Sequence, residues 1–146
     1  MITHVSLVTV WVTDQEAAKV FYVDKLGFAE ATDVTMGDGY RWLTLCHPDH
    51  PDHPELELTL MKPGPPLDDE AAAFFRRMLD KGTLGVGLAT DDCHKTHELL
   101  AAKGVEFIQE PIDRPYGVEA IPRDNSGNWL VLVERRPYTG ESTPAT

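Results

Sequence analysis

Cysteine is scarce in this chain: among 146 residues only Cys46 and Cys93 are cysteines, and neither belongs to a CxxC pair. Two thiols cannot build a disulfide framework, so they read as buried structural thiols in a reducing cytoplasm, and the fold must rest on packing. Long apolar runs are missing too. No stretch reaches the roughly 18 residues that would span a bilayer, and MITHVSLVTVWV carries neither a basic leader nor a small-residue cleavage site. A cytoplasmic protein without a membrane partner is expected. Positive charge is the third shortage: 13 Lys and Arg stand against 24 Asp and Glu, giving a formal net charge of −11, and the basic residues are scattered. Nucleic acid or an anionic membrane would need a basic face, so neither is an expected partner, whereas a small organic ligand or another protein is left open.

What is present is the pattern of an ordinary globular domain. Ile2 to Val12 is rich in β-branched and apolar residues and predicts a first strand. Thr13 and Asp14 can cap a helix in which Ala17, Ala18, Phe21, Tyr22 and Leu26 recur at helical spacing until Gly27 permits a left-handed exit. Strands are expected over Phe28 to Met36, Tyr40 to Cys46 and Glu55 to Met61, with Gly37-Asp38-Gly39 as a tight turn. After the break at Lys62-Pro63-Gly64-Pro65-Pro66, the acidic start Asp68-Asp69-Glu70 opens a linker helix through Phe74, Phe75, Met78 and Leu79. The second half then repeats the first. Leu84 to Ala89 predicts a strand, Thr90-Asp91 a cap, and Leu99 and Leu100 a helix ending at Gly104; strands follow at Val105 to Gln109, Val118 to Pro122 and Trp129 to Glu134. The expected organisation is one α+β domain over residues 1–136. Module one spans 2–62, the linker helix about 68–81 and module two 84–135, with a flexible polar tail at 137–146.

Two βαβββ units, the run Phe21-Tyr22-Val23-Asp24-Lys25-Leu26-Gly27-Phe28, the segment Arg114-Pro115-Tyr116-Gly117 and the Asp124 to Asn128 turn before the last strand together resemble the vicinal oxygen chelate superfamily. That superfamily includes glyoxalase I, extradiol dioxygenases and bleomycin-resistance proteins. The turn departs from the usual DPxGN pattern only in placing Asn125 where proline is typical. The resemblance implies two modules whose curved sheets enclose a cup, in a homodimer. In metal-dependent members, one ligand comes from the first strand and one from the last strand of each module. The matching positions here are Leu7, Glu57, Gly85 and Val131, of which Glu57 alone carries a donor. A slip of one residue substitutes Val8, Val86 or Leu130, which are no better, so neither a metal nor another cofactor is expected.

The tract HPDHPDHP, His47 to Pro54, is the other place to look for a metal, since imidazole is a common ligand. Its three prolines favour an extended course in which His47, His50 and His53 lie roughly 9 Å apart, pointing one way without converging. A stiff exposed loop, with only opportunistic metal affinity, is the expectation.

The cup itself supplies the remaining candidates. Side chains alternate along a strand, so Leu7, Thr9 and Trp11 share one face and Glu57, Thr59 and Met61 another. Arg41, Trp42, Arg114, Tyr116 and Trp129 fall near strand ends, where they could add stacking and charged contacts. Glu57 is a candidate general base, or simply the partner of Arg41 or Arg114. Two functions follow. The first is a metal-free protein that binds or sequesters an aromatic or cationic small molecule. The second is an enzyme of lyase, isomerase or dioxygenase type that uses Glu57 as acid/base or an atypical metal site.

Overall fold

Strand, helix and three strands occur twice in succession: β1 (Leu7–Val12), α1 (Gln15–Val20), β2 (Ala29–Thr35), β3 (Arg41–Cys46) and β4 (Glu55–Leu60), then, beyond α2 (Asp69–Asp80), β5 (Gly85–Ala89), α3 (Cys93–Ala102), β6 (Phe107–Arg114), β7 (Gly117–Pro122) and β8 (Trp129–Arg135). The computed structural model describes residues 1–64 and 67–138, so most of the expected tail, 137–146, lies outside the described residues. Each module forms a four-stranded sheet, in the order β1-β4-β3-β2 and β5-β8-β7-β6. The helix of each module carries the chain across, which makes β1 parallel to β4 and β5 parallel to β8 while the other pairs are antiparallel hairpins. This is the α+β architecture the motifs predicted.

Boundaries moved where a partner backbone was lacking. The first strand was expected from Ile2, but its ladder runs only from the pair Leu7–Glu55 to Val12–Leu60. Upstream of Glu55 the chain folds into turns, and the Glu55 amide closes on the Ser6 carbonyl at 3.0 Å, which ends the pairing. In the other direction β6 runs past Gln109 to Arg114 through irregular pairing with β7. As an edge strand it tolerates Pro111, which can donate nothing to a ladder.

The two module helices differ by one residue. Asp14 caps α1 by accepting from the Ala17 amide at 2.9 Å, and Gly27 leaves the helix at φ 82°. In module two the cap is Asp92, accepting from the Lys95 amide at 2.9 Å, rather than the expected Thr90-Asp91, and the exit is Gly104 at φ 81°. From cap to glycine is 27 − 14 = 13 residues in the first case and 104 − 92 = 12 in the second. The surplus residue is taken up by a π-helical turn, Phe21–Lys25, that continues α1.

One face of each sheet packs against the helices. Val10, Val12, Leu43, Leu45, Leu56 and Leu58 join Phe21 and Tyr22 from the first helix, and Leu100, Val105 and Leu130 of module two belong to the same cluster. The modules thus share a core. Polar bonds fasten them as well: Tyr22 Oη donates to the buried Asp124 at 2.8 Å, Asn128 Nδ2 donates to the Trp11 carbonyl at 2.9 Å, and the Thr13 amide donates to Ser126 Oγ at 3.1 Å. Asp124 holds its own turn by accepting from the Ser126 and Asn128 amides, both at 2.9 Å, while Asn125 is exposed. Of the two thiols, Cys93 is buried, which pushes its pKa up, and Cys46 is half-buried. No helix among the described residues is long and apolar enough to cross a membrane.

Candidate functional site

Strand alternation sends a second set of side chains to the sheet faces turned away from the core. On sheet one, the registers place Thr9 beside Glu57, Glu57 beside Thr44 and Thr44 beside Thr32, a polar row across all four strands. Trp11 sits beside Thr59 in the next row, and Trp42 beside Val34. Of the residues expected to line a cup, this open face therefore gathers Leu7, Thr9, Trp11, Trp42, Glu57 and Thr59. Trp11 also stacks on Phe75 of α2, with ring centroids 5.0 Å apart and 28° between planes, so the linker helix closes one end. Met61 lies just past β4 and lines a separate depression of about 360 Å³ with Val12, Leu60 and Arg76.

Glu57 has a partner, and it is neither arginine that was expected. Tyr40 precedes β3 and shares the parity of Trp42 and Thr44; its hydroxyl donates to Glu57 Oε1 at 2.6 Å. That bond, with burial second, raises the phenol to about 12, although the nearby Thr59 hydroxyl acts in the opposite sense. Arg41 has the other parity and faces the helices. Its guanidinium binds Asp33 at 2.8 Å through both Nε and Nη2, and Glu16 at 2.9 Å, so it corrects the expectation of a cup contact. Lys19 adds a bond to Asp33 at 3.0 Å. Arg114 is committed to sheet two.

On that sheet Arg114 Nε lies 3.5 Å from Glu119 Oε1, and Arg114 Nη2 donates to Gln109 Oε1 at 3.3 Å. Gln109 Nε2 in turn donates to Glu119 at 3.1 Å, and the Tyr116 hydroxyl donates to the other Glu119 oxygen. Burial pushes the Glu119 carboxyl up, but the bonds from Tyr116 and Gln109 and the Arg114 charge outweigh it and leave the pKa below the ordinary value. Tyr116 is correspondingly raised, first by Glu119 and then by burial. Tyr116 and Glu119 line an open depression of about 420 Å³ with Val131, Val133, Arg135 and Arg136. Each sheet thus carries a tyrosine–carboxylate pair. Tyr40, Thr44, Gln109 and Glu119 were not singled out from sequence; alternation along β3 from Trp42 would have found Tyr40 and Thr44, whereas Gln109 and Glu119 needed the β6–β7 register.

The four positions implied for a metal do not suit one. Leu7 and Val131 offer no lone pair, and Glu57 is bonded to a phenol. Gly85 has no room for any side chain: a Cβ there would stand 2.2 Å from the Trp129 carbonyl oxygen and 2.2 Å from its indole Cδ2. Trp129, the remaining expected site residue, thus fills the space a ligand at position 85 would need. The histidine tract also departs from expectation. Its backbone is turned rather than extended, with the His50 amide on the His47 carbonyl at 3.0 Å and His53 on His50 at 3.1 Å. Consecutive imidazole centroids therefore lie 5.2 Å apart instead of roughly 9 Å. His47 spends Nδ1 on the Asp49 amide at 3.2 Å. Among the described residues no group of three or more His, Cys, Asp or Glu is placed to hold a metal ion.

With this geometry in hand, comparison defines the class. Residues 2–132 match the Glyoxalase/Bleomycin resistance protein/Dioxygenase superfamily, and the chain belongs to it. It is similar to the crystal structure of UcmS2, at 43% identity and a TM-score of 0.84, covering 92% of this chain and 99% of that one. It is also similar to TnmS3, an antibiotic binding protein from Streptomyces sp. CB03234, at 32% identity and a TM-score of 0.68, covering 92% and 98%. YurT of Bacillus subtilis (strain 168) is 32% identical over 127 residues, 87% of this chain and 95% of its own.

Proposed function

We propose that the chain binds and sequesters a small organic molecule on the open faces of its sheets, without a metal. The observation that carries this reading is the donor set. Where metal-dependent relatives place ligands, this chain has Leu7, Val131 and a glycine whose side-chain space is filled by Trp129, while aromatic and polar groups surround the one carboxylate. Pockets that combine apolar walls with a few oriented polar groups suit organic ligands. The similarity to an antibiotic binding protein supports the same class. In this reading the protein works in the cytoplasm as a homodimer, with residues 1–136 as one domain.

A second reading keeps some weight because Tyr40 and Glu57 form a hydrogen-bonded acid–carboxylate pair at 2.6 Å, the kind of arrangement that can move a proton. One experiment separates the two. A thermal-shift screen of a small-molecule library, followed by mass spectrometry of each hit after long incubation, should find stabilising ligands that are recovered unchanged. Product formation that Glu57→Gln abolishes would establish the enzyme instead. Elemental analysis of untagged protein should give far less than one equivalent of transition metal, and a stoichiometric ion at Glu57 would refute metal-free binding.

A further inference from the structure

We propose that the depression at the C-terminal ends of β1 and β4 is a second binding site, which takes a small organic monocarboxylate with an apolar body. Its volume is about 360 Å³, within the range of clefts that hold small molecules. It is distinct from the open face of sheet one: the Trp11–Phe75 stack closes that face at this end, and the depression is lined by Val12 and Leu60, whose parity is that of the core. Neither site depends on the other.

Contacts far apart in the chain fix its walls. The ladder of β1 and β4 ends with the pair Val12–Leu60, after which the Lys62 amide turns back onto the Leu60 carbonyl at 3.1 Å. Thr13, the next residue after β1, is tied to module two, its amide donating to Ser126 Oγ at 3.1 Å. The opposite wall is α2, where Arg76 and Asp80 stand one turn apart on a single face. That helix is itself anchored at two points: Phe75 stacks on Trp11, and the Leu79 carbonyl oxygen lies 3.0 Å from where a Cβ at Gly127 would stand. A cleft held in this way is formed before a ligand arrives, so little ordering opposes binding.

The charge of the cleft selects an anion. Lys62 and Arg76 both line it, yet among the described residues neither makes an ion pair, whereas Lys19, Arg41, Arg114 and Arg136 all do. Nor does either lie over an aromatic ring, as Lys25 and Arg77 do. With 24 acidic residues against 13 basic ones, carboxylates to pair with are plentiful, and still two unpaired cations share one cleft. Asp80 is the acid on the rim, and it forms no bridge with Arg76; a base four residues ahead of an acid is the weaker order on a helix. Two positive charges against one negative leave a single positive charge, which matches a monoanion. A dianion would exceed it and be repelled by Asp80.

The floor defines the rest of the ligand. Val12 and Met61 are buried and Leu60 is half-buried, so the base of the cleft is apolar, while Lys62, Arg76 and Asp80 sit at its exposed rim. A bare inorganic anion would leave that floor wet, whereas a carboxylate with a short alkyl or aryl body covers it. The Arg76 guanidinium suits a carboxylate in particular, because its paired N–H groups can meet both oxygens at once. The Met61 thioether adapts to bodies of different outline.

Benzoate and benzamide share a planar outline and differ in charge. In titration calorimetry at constant ionic strength, benzoate should bind about tenfold more tightly than benzamide, the size of one charge-assisted hydrogen bond, with the dianion phthalate weaker and inorganic phosphate weakest. Lys62→Gln and Arg76→Gln, both at exposed positions, should keep the wild-type Tm, lower benzoate affinity several-fold and leave benzamide unchanged, while Asp80→Asn should raise benzoate affinity. Amide chemical shifts should move at Thr13, Lys62 and Asp80 on adding benzoate. Equal affinity for benzoate and benzamide, no benzoate binding at millimolar concentration, or affinity that survives both cation variants would overturn the site. Phosphate binding as tightly as benzoate would overturn the monocarboxylate class. Shift changes centred on the open sheet faces would also overturn the second site while agreeing with the binding reading above, so the two fail separately.

Discussion

The same substitution made two residues apart on β5 should have opposite effects. Neither Gly85 nor Gly87 adopts a positive φ, so backbone strain plays no part and the outcome depends on space alone. A Cβ at Gly85 would meet the Trp129 carbonyl at 2.2 Å, and that oxygen belongs to the β8 backbone paired with β5, so it cannot step aside without disturbing the ladder. Overpacking of this kind costs about 1–3 kcal/mol. For a chain of this length that corresponds to a fall in Tm of about 3–10 °C. At Gly87 a Cβ would have nothing within 4 Å. There Gly87→Ala should stabilise by about 0.5–1 kcal/mol, because it narrows the unfolded ensemble and introduces no clash. Differential scanning calorimetry with urea melts on both variants reads the contrast. A neutral Gly85→Ala would show that Trp129 does not occupy that space in solution. A destabilising Gly87→Ala would show that the β5 face is covered.

Two further outcomes follow from the loops and the surface ion pairs. Replacing the exposed His50 and His53 together by alanine should change stability by no more than about 0.5 kcal/mol, and a Tm loss of many degrees would make the turned tract structural. The Arg41 guanidinium, with Lys19, holds the Asp33 carboxyl well below the usual carboxylate range. Its folded pKa is thus lower than its unfolded value of about 3.9, so its stabilising effect is complete above about pH 5 and is lost as pH falls through the folded pKa. Asp33→Asn should therefore melt below the wild type at pH 7, with the gap narrowing toward pH 2. A gap independent of pH would mean that the pair contributes nothing by its charge.

Much of this architecture can be read without coordinates, because its signals are local. Capping by Asp14 and Asp68, exits at Gly27 and Gly104, and the alternation of Thr9 with Val10 or Glu57 with Leu58 each depend on neighbours within a turn or two. In the site the differences come from partners brought together by the sheet. Its place at a strand end points Arg41 toward the cup, but its parity follows Leu43 and Leu45 to the core side, where Asp33 on β2 and Glu16 on α1 receive it. Tyr40 and Glu57 are 17 residues apart and meet only once the β3–β4 hairpin is in register. In the histidine tract, proline suggested extension, but proline is equally at home in a turn, and the Asp49 amide bonded to His47 favours the turn.

The π-helical turn after α1 bears on how a duplicated chain can diverge. If the two modules began as copies, a residue gained inside an ordinary helix would rotate everything beyond it by about 100° and, carried into a strand, would turn every side chain to the wrong face. Here the gain is contained within one widened turn, ahead of Gly27. The ladders downstream keep the same phase in both halves: Thr9 pairs with Glu57 as Gly87 pairs with Val131. A helix that can swell by one residue insulates the sheet from insertions. It lets one half acquire length, and with it new side chains against its partner, while the faces of both sheets keep their orientation.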